Sequence, residues 1–264
     1  MSRAQVLAPL AARYARWLGL PAQAIGPSEN ADIDDEDPAS VRAMPLILHL
    51  ERDQPPPRSA LLEAAGSAAV ALCLDERSQP GGLWYADVQP WLAGRIRKVA
   101  RRARGAQWRA VTELPGITIE WRGAQVRALL PWPVADTPRT VTRLQVAGTD
   151  VPTDAPGRPP DGLPVLWIGP AVAMTAGKAA AQVGHATMLL AALLAAQERT
   201  AELDRWAADG YRCAVRTASA RQWARLVPGE EPDRAWHERG VLAVRDAGFT
   251  EVAPGTVTVV AQWP

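Results

Sequence analysis

Cysteine, phenylalanine, histidine and net charge are all scarce in this sequence. Its 264 residues include two Cys, three His and one Phe, and the formal net charge is +1. With two cysteines, Cys73 and Cys213, and no hydrophobic signal segment, the chain is expected in a reducing cytoplasm. A balance this close to neutral means that any attraction to nucleic acid must come from local patches rather than from a global field. No apolar run reaches membrane-spanning length without a charge or a proline, so no membrane span is expected. The histidines and cysteines never cluster at metal-ligand spacing and no GxSxG elbow occurs, which argues against metal and serine-nucleophile chemistry. The phosphate-cradling loop GxxxxGK[ST] fails as well, because Val172 stands where its first Gly belongs and Ala179 replaces its Ser or Thr. No metal and no cofactor are expected. The scarcity of Phe beside abundant Ala, Arg, Pro and Trp reflects genomic base composition more than function.

What is present is concentrated in Met174 to Ala186, MTAGKAAAQVGHA, where three polar side chains stand in a run of Ala, Leu and Val. The run follows a short apolar strand at 165–168 and predicts a buried helix over 177–195, Ala being the best helix former. On such a helix Lys178, Gln182 and His185 fall at i, i+4 and i+7 and share one face. Lys178 lies in the first turn, where an ammonium opposes the helix macrodipole and a purely structural role is disfavoured. The plain alternatives are a solvated lysine and a hydrogen-bonded core histidine.

The stretch resembles the signature of type 2 peptidyl-tRNA hydrolases, Met-Gly-Lys-Gly-Lys, one variable residue, Ala-Ala-Gln, two variable residues, His-Ala. Met174, Gly177, Lys178, Ala180, Ala181, Gln182, His185 and Ala186 match it in register. Asp246 to Thr258, DAGFTEVAPGTVT, is similar to the family's DAGxTxxxPGxxT ending. Ala176 and Phe249 depart from residues common in the family, the first by lowering local positive charge. The resemblance implies a metal-free esterase that frees a peptide from the 3′-terminal ribose of tRNA. It implies Lys178 and Asp246 as catalytic residues, with Gly177, Gln182, His185, Gly248, Thr250, Pro254 and Gly255 binding substrate or supporting the site. Hydrolysis of this kind asks for an oriented water and a stabilised oxyanion, tasks an Asp and a Lys can divide. A non-catalytic RNA-binding or protein-interaction module that kept the fold is the alternative. Lys178 and Asp246 within water-mediated reach in an open cleft would favour the enzyme, and a closed, buried pair the alternative.

The rest of the chain divides around this region. Residues 1–40 read as an amphipathic helix, with Val6, Leu10, Tyr14 and Trp17 on one stripe, and an acidic loop at 29–37 that reads as a solvated linker. Residues 41–148 read as a degenerate, non-catalytic copy of residues 163–264. Strand 46–50 and the apolar run 59–74 parallel strand 165–168 and the helix after it, Gly66 aligns with Gly184, Gly94–Val99 with Gly210–Val215, and Gln107-Trp108 with Gln222-Trp223. In that copy Ala60 falls opposite Lys178 and Ser67 opposite His185. Residues 149–162, rich in Pro, Asp and Gly, read as a linker too poor in apolar residues to pack. Strands alternating with helices predict an α/β fold, a mixed, mostly parallel sheet with helices on both faces, in two tandem related domains. Arg95, Arg97, Lys98, Arg101, Arg102 and Arg104 form a basic run that is either a solvated face or a surface for tRNA phosphates. Because members of the resembled family are typically homodimers, one chain with two copies is expected to form either an intramolecular pseudo-dimer or a homodimer.

Overall fold

A computed structural model describes residues 4–18, 40–229, 231–246 and 251–264. The acidic loop at 29–37 lies outside the described residues, as do Gly248 and Thr250. In chain order the elements are α1 (Ala8–Leu18), β1 (Arg42–His49), α2 (Arg58–Leu74), α3 (Tyr85–Ala93), β2 (Lys98–Ala103), α4 (Gly105–Thr112), β3 (Gly116–Trp121), β4 (Ala124–Leu129), β5 (Trp132–Pro133) and α5 (Arg139–Thr142). The second half follows with β6 (Val165–Ile168), α6 (Ala176–Ala196), α7 (Thr200–Ala208), β7 (Ala214–Thr217), α8 (Ala220–Leu226), α9 (Pro232–Arg239), β8 (Val241–Arg245) and β9 (Val257–Gln262).

The halves repeat one topology. The first sheet has the order β2-β1-β4-β3, with β5 on the start of β1, and the second has β7-β6-β9-β8. In each, the first two strands of the half pair in parallel, and the last long strand, β4 or β9, lies antiparallel to both of its neighbours. Three of the four long strands therefore run the same way, as a mostly parallel sheet requires. The reversed strand sits inside the sheet, so antiparallel ladders still outnumber parallel ones. One hydrogen bond recurs in both halves: the Trp91 indole donates to the Arg97 carbonyl at 3.0 Å, and the Trp206 indole to the Arg212 carbonyl at 2.8 Å. This puts Lys98 opposite Cys213, one position away from the alignment of Gly94–Val99 with Gly210–Val215. The glycines misled that alignment because they sit in turns, where length varies without cost to the sheet.

Between the sheets lie α2 and α6. A helix apolar on every side must be covered on every side, and these two cover each other. Each packs on its own sheet, and each also reaches across, α2 to β7 and α6 to β2. The helix axes can approach closely because Gly66 faces Thr187 and Gly184 faces Ala69; a Cβ on either glycine would stand 3.1 Å from its neighbour. The Thr187 hydroxyl donates to the Gly66 carbonyl at 2.8 Å, sealing the crossing. Helix α6 is long and apolar enough to cross a membrane, but most of it is buried here as the centre of the fold.

The strands of the first sheet show the alternation that burial on both faces demands. Met44, Leu46 and Leu48 of β1 join the central core, while Ile47 points to the other face and packs with Trp108, Val111 and Val141 from α4 and α5. Val6, in the turn before α1, and Leu10 and Tyr14 of α1 lie in the core as expected, and the Trp17 side chain lies outside the described ones. Helix α1 also ties the halves together: Arg13 donates to the carbonyls of Leu92, Ala93 and Gly94 at the end of α3, and the Tyr14 hydroxyl donates to Ala243 of β8 at 2.6 Å.

The expectation of an unpacked linker is corrected by the structure. Thr149 and Val151 are buried, and the segment is held by polar contacts rather than by apolar area. Asp154 accepts from the Ser59 amide and hydroxyl at the start of α2, which satisfies a helix-end donor that no preceding side chain caps. Thr149 accepts from the Gly177 amide at the start of α6 at 3.2 Å. Residues poor in hydrophobic surface dock here because helix N-termini offer unpaired N–H groups.

Candidate active site

Helix α6 opens on Thr175, whose hydroxyl oxygen accepts from the Lys178 amide at 3.1 Å. The Thr175 amide and hydroxyl both donate to Glu251, each at 2.8 Å, so the segment after β8 is clamped to the helix start. Gly177 is needed at the next turn. A Cβ there would stand 2.8 Å from Thr149 Oγ1 and 3.3 Å from Ala100.

Asp246 follows β8 directly. Its amide donates to the Thr256 carbonyl and its carbonyl accepts from the Gly255 amide, at 2.9 and 2.7 Å, which fixes the base of the 246–256 loop. From there its carboxylate meets α6. Asp246 Oδ2 accepts from Lys178 Nζ at 2.5 Å and from Gln182 Nε2 at 2.7 Å. Gln182 Oε1 in turn lies 2.5 Å from the Thr258 hydroxyl of β9. Because a hydroxyl must donate to that oxygen, the amide is oriented with its NH2 toward Asp246. Lys178 and Gln182, one helical turn apart, thus converge on one carboxylate oxygen, as their shared face predicts. The side chains of Lys178 and Asp246 are 12% and 6% exposed, so the pair is closed and direct rather than bridged across an open cleft.

His185, a further turn along, stands apart from this cluster. Its Nδ1 lies 3.0 Å from Lys98 Nζ of β2 in the other half. Burial, then the cations Lys98 and Lys178, hold its pKa well below the ordinary imidazole range, so the ring is neutral. Burial also brings Lys98 down to about 7. Pro254 and Gly255 sit in the loop behind Asp246, Gly255 with φ of 78° that suits glycine. Two residues outside the expected set touch this cluster or its helix start, Thr258 and Glu251. Thr258 ends the DAGxTxxxPGxxT pattern and was legible there, whereas nothing in the spacing marks Glu251 as a helix clamp.

The basic run is not a uniform face. Lys98 turns toward His185, Arg101 donates to the Thr142 and Leu144 carbonyls, and Arg102 holds Gln145 and Gly148. Arg104 is exposed and Arg95 and Arg97 are half-buried. His49 stacks on Trp108 with ring centroids 4.6 Å apart, a structural role. An open hollow of about 500 Å³ lined by Glu51, Arg52, Asp53, Gln54 and Arg104 shares no residue with the Lys178–Asp246 site. Among the described residues no group of three His, Cys, Asp or Glu side chains is placed to hold a metal ion.

A lysine, a glutamine and an aspartate thus meet where the start of α6 faces the end of β8. The family described as Peptidyl-tRNA hydrolase PTH2 matches residues 165–264. A peptidyl-tRNA hydrolase from Methanopyrus kandleri is 37% identical over 93 residues, which span 34% of this chain and 74% of that protein. No solved structure matches. The chain belongs to the type 2 peptidyl-tRNA hydrolase family through its second half.

Proposed function

We propose that this chain hydrolyses the ester between a peptide and the 3′-terminal ribose of tRNA, at Lys178 and Asp246. The convergence of Lys178 and Gln182 on Asp246, within the family-matched region, carries the reading. On substrate binding the ester and a water enter between ammonium and carboxylate. Asp246 takes a proton from the water as it attacks the ester carbon, and Lys178 offsets the negative charge that develops on the carbonyl oxygen. The proton then passes from Asp246 to the departing ribose oxygen, leaving a tRNA hydroxyl and a peptide carboxylic acid that loses its own proton to solvent. Gln182, oriented by Thr258, keeps the carboxylate in place. Gly248 and Thr250 join this proposal as substrate contacts on the strength of the motif alone.

The closed Lys178–Asp246 pair favours a second reading, a non-catalytic module that binds RNA or protein. Release of peptide from peptidyl-tRNA by the purified chain separates the two. The enzyme reading requires turnover that Lys178→Ala and Asp246→Asn abolish; tRNA binding without turnover establishes the module.

The first half, residues 41–148, is proposed to be a non-catalytic copy that stands where a second subunit would, giving an intramolecular pseudo-dimer. Equal topology and the α2–α6 packing support it. Arg95, Arg97 and Arg104 are proposed to meet tRNA phosphates, with Lys98, Arg101 and Arg102 supporting that edge from within. Replacing the first three is expected to flatten the salt dependence of tRNA binding by about one logarithmic unit of slope per lost contact.

A further inference from the structure

The two glycines at the helix crossing show where the halves stop being equivalent. Over Gly66 lies Cys213, with Sγ 3.3 Å from where a Cβ would stand; over Gly184 lies Lys98, with Cδ and Cε both at 3.3 Å. The residue after each glycine then points at the same neighbouring loop of the opposite half. After Gly66 this is Ser67, whose hydroxyl lies 2.9 Å from the Tyr211 carbonyl and 3.0 Å from the Glu63 carbonyl of its own helix. After Gly184 it is His185, and the contact is longer and more elaborate. Lys98 Nζ lies 3.5 Å from the Ile96 carbonyl, the counterpart of Tyr211, and 3.0 Å from His185 Nδ1. Gly184 is what allows this, since any side chain there would push the lysine stem away from the ring. Only the side that carries the helix with Lys178 and Gln182 has acquired the pair.

The geometry points to Lys98 as a positioning residue, supplied by the non-catalytic half, that fixes the His185 tautomer so that its Nε2–H can donate to an oxygen on the nucleotide end of the substrate. Below about pH 7 Lys98 is an ammonium, with donors and no acceptor, so Nδ1 accepts from it and the ring proton sits on Nε2. Among the described residues, Lys98 and His185 have no hydrogen-bond partners beyond those named. His185 is half-buried rather than fully enclosed. His185 stands two turns from Lys178 on the same face, about 10 Å along the helix. That is too far for the reacting ester, and the right order of distance for a ribose or phosphate oxygen of the adjoining nucleotide. Among the described residues, the groups that face Lys98 are Cys73 from α2, His185 from α6 and the Trp91 ring from α3 with its centroid 5.1 Å away, while Lys178 acts on the His185 ring from its other side of the cluster. No carboxylate opposes it among them, so the imidazole is its hydrogen-bonding counterpart in the crevice. This inference rests on the peptidyl-tRNA reading for the identity of the oxygen, but not for the state of the ring.

The test uses the full chain labelled with ¹⁵N and long-range imidazole ¹H–¹⁵N correlations at pH 6.5. The chain has three histidines, so His185 is assigned by the signals lost in His185→Gln. The expected result is an Nε2–H tautomer for His185 in the unmodified protein, a tautomer mixture in Lys98→Met, and recovery of the Nε2–H form in Lys98→Arg. With peptidyl-tRNA as substrate, Lys98→Met and His185→Gln should each raise KM about tenfold and leave kcat within about twofold, as expected for a lost hydrogen bond made equally in ground and transition states. A His185 spectrum unchanged in Lys98→Met, or an Nδ1–H ring in the unmodified protein, overturns the positioning role. The assigned tautomer with an unchanged KM overturns the substrate contact. If the unmodified protein turns over no peptidyl-tRNA, the proposed reaction fails on its own account, and the imidazole spectrum still decides the role of Lys98.

Discussion

Lys178 and Asp246, 68 residues apart, meet at 2.5 Å where the start of α6 faces the end of β8. Both are largely buried, so neither charge is dispensable to the other. Truncating one member of a buried pair strands the other and costs about 3–5 kcal/mol when nothing compensates. Here Gln182 still donates to Asp246, so Lys178→Ala is expected to cost less, about 1–3 kcal/mol by urea titration. Its effect on turnover should be larger, about 10²-fold or more, and Asp246→Asn should match it. The double variant should lose little beyond either single one, because the two groups act as a unit.

Thr258→Val tests the outer link of the same chain. Without the hydroxyl, the Gln182 amide loses the bond that orients it, and its oxygen is free to turn toward Asp246. Turnover is expected to fall about tenfold, with most of the change in kcat, while stability drops by about 1 kcal/mol. Equal turnover in Thr258→Val and the unmodified chain would remove Thr258 from the site.

The sequence showed the site's face before the structure did, and it did so through residues that break a pattern. Lys178, Gln182 and His185 are conspicuous because Ala, Leu and Val surround them, and the helical period puts them together. The family ending led to Asp246 in the same way. What was not legible was contact between distant segments. Nothing in Thr149 or Asp154 announces a helix-end partner, since a Pro- and Asp-rich stretch reads the same whether it docks or floats. Helix α9 was also missed: Pro232–Arg239 is polar on most sides and buries only Ala235 and Trp236, so it lacks an apolar stripe to detect. Lys98 reads as one more cation in a basic run, because which way a strand residue faces depends on register, and matching the halves by Gly94 and Gly210 shifts that register by one residue.

Gly177→Ala probes the docked linker. Its Cβ would stand 2.8 Å from Thr149 Oγ1, closer than atoms of this kind approach, so Thr149 must move and the Gly177 amide loses its acceptor. A loss of about 1–3 kcal/mol is expected, along with faster proteolysis within 149–162. Adding Thr149→Ala should restore part of the loss by making room, which a purely helical effect of the alanine would not allow.

Lys98 should leave a mark on stability as a function of pH. Its pKa is lowered from 10.5 to about 7 by burial. Between those values the unfolded chain holds a proton that the native chain does not, so stability rises as pH rises from about 7 to 10.5 and is flat with respect to this group below 7. Cys73, the nearest other titrating group on α2, is pushed up to about 12 and stays a thiol throughout that range. Lys98→Met removes the burial cost. It is expected to stabilise the protein more at pH 6 than at pH 10, by a difference on the order of 2–4 kcal/mol, read from urea midpoints at the two pH values. An equal effect at both would mean that Lys98 is hydrated and charged in the native state.

The last prediction concerns assembly. If the first half occupies the position of a second subunit, the surface that would pair is already used. Glu63 of α2 shows how fully: its carboxylate takes Arg216 Nη1 at 2.8 Å and the Val215 amide at 3.1 Å from β7, and the Trp121 indole at 2.9 Å from β3. Both ends of the Glu63–Arg216 pair are buried, with side chains 5% and 8% exposed, so an acid of one half is matched to a base of the other inside the joint. A pair of this kind selects its partner, because any other surface would leave one charge unmatched. The intact chain is therefore expected to sediment as a monomer. Residues 163–264 alone would expose the α6 face and Arg216, and should self-associate or precipitate. Supplying residues 41–148 in trans should restore a soluble one-to-one complex, which Glu63→Leu weakens by stranding Arg216. A tight homodimer of the intact chain, together with a well-behaved monomer of 163–264, would show that the first half is not a built-in partner.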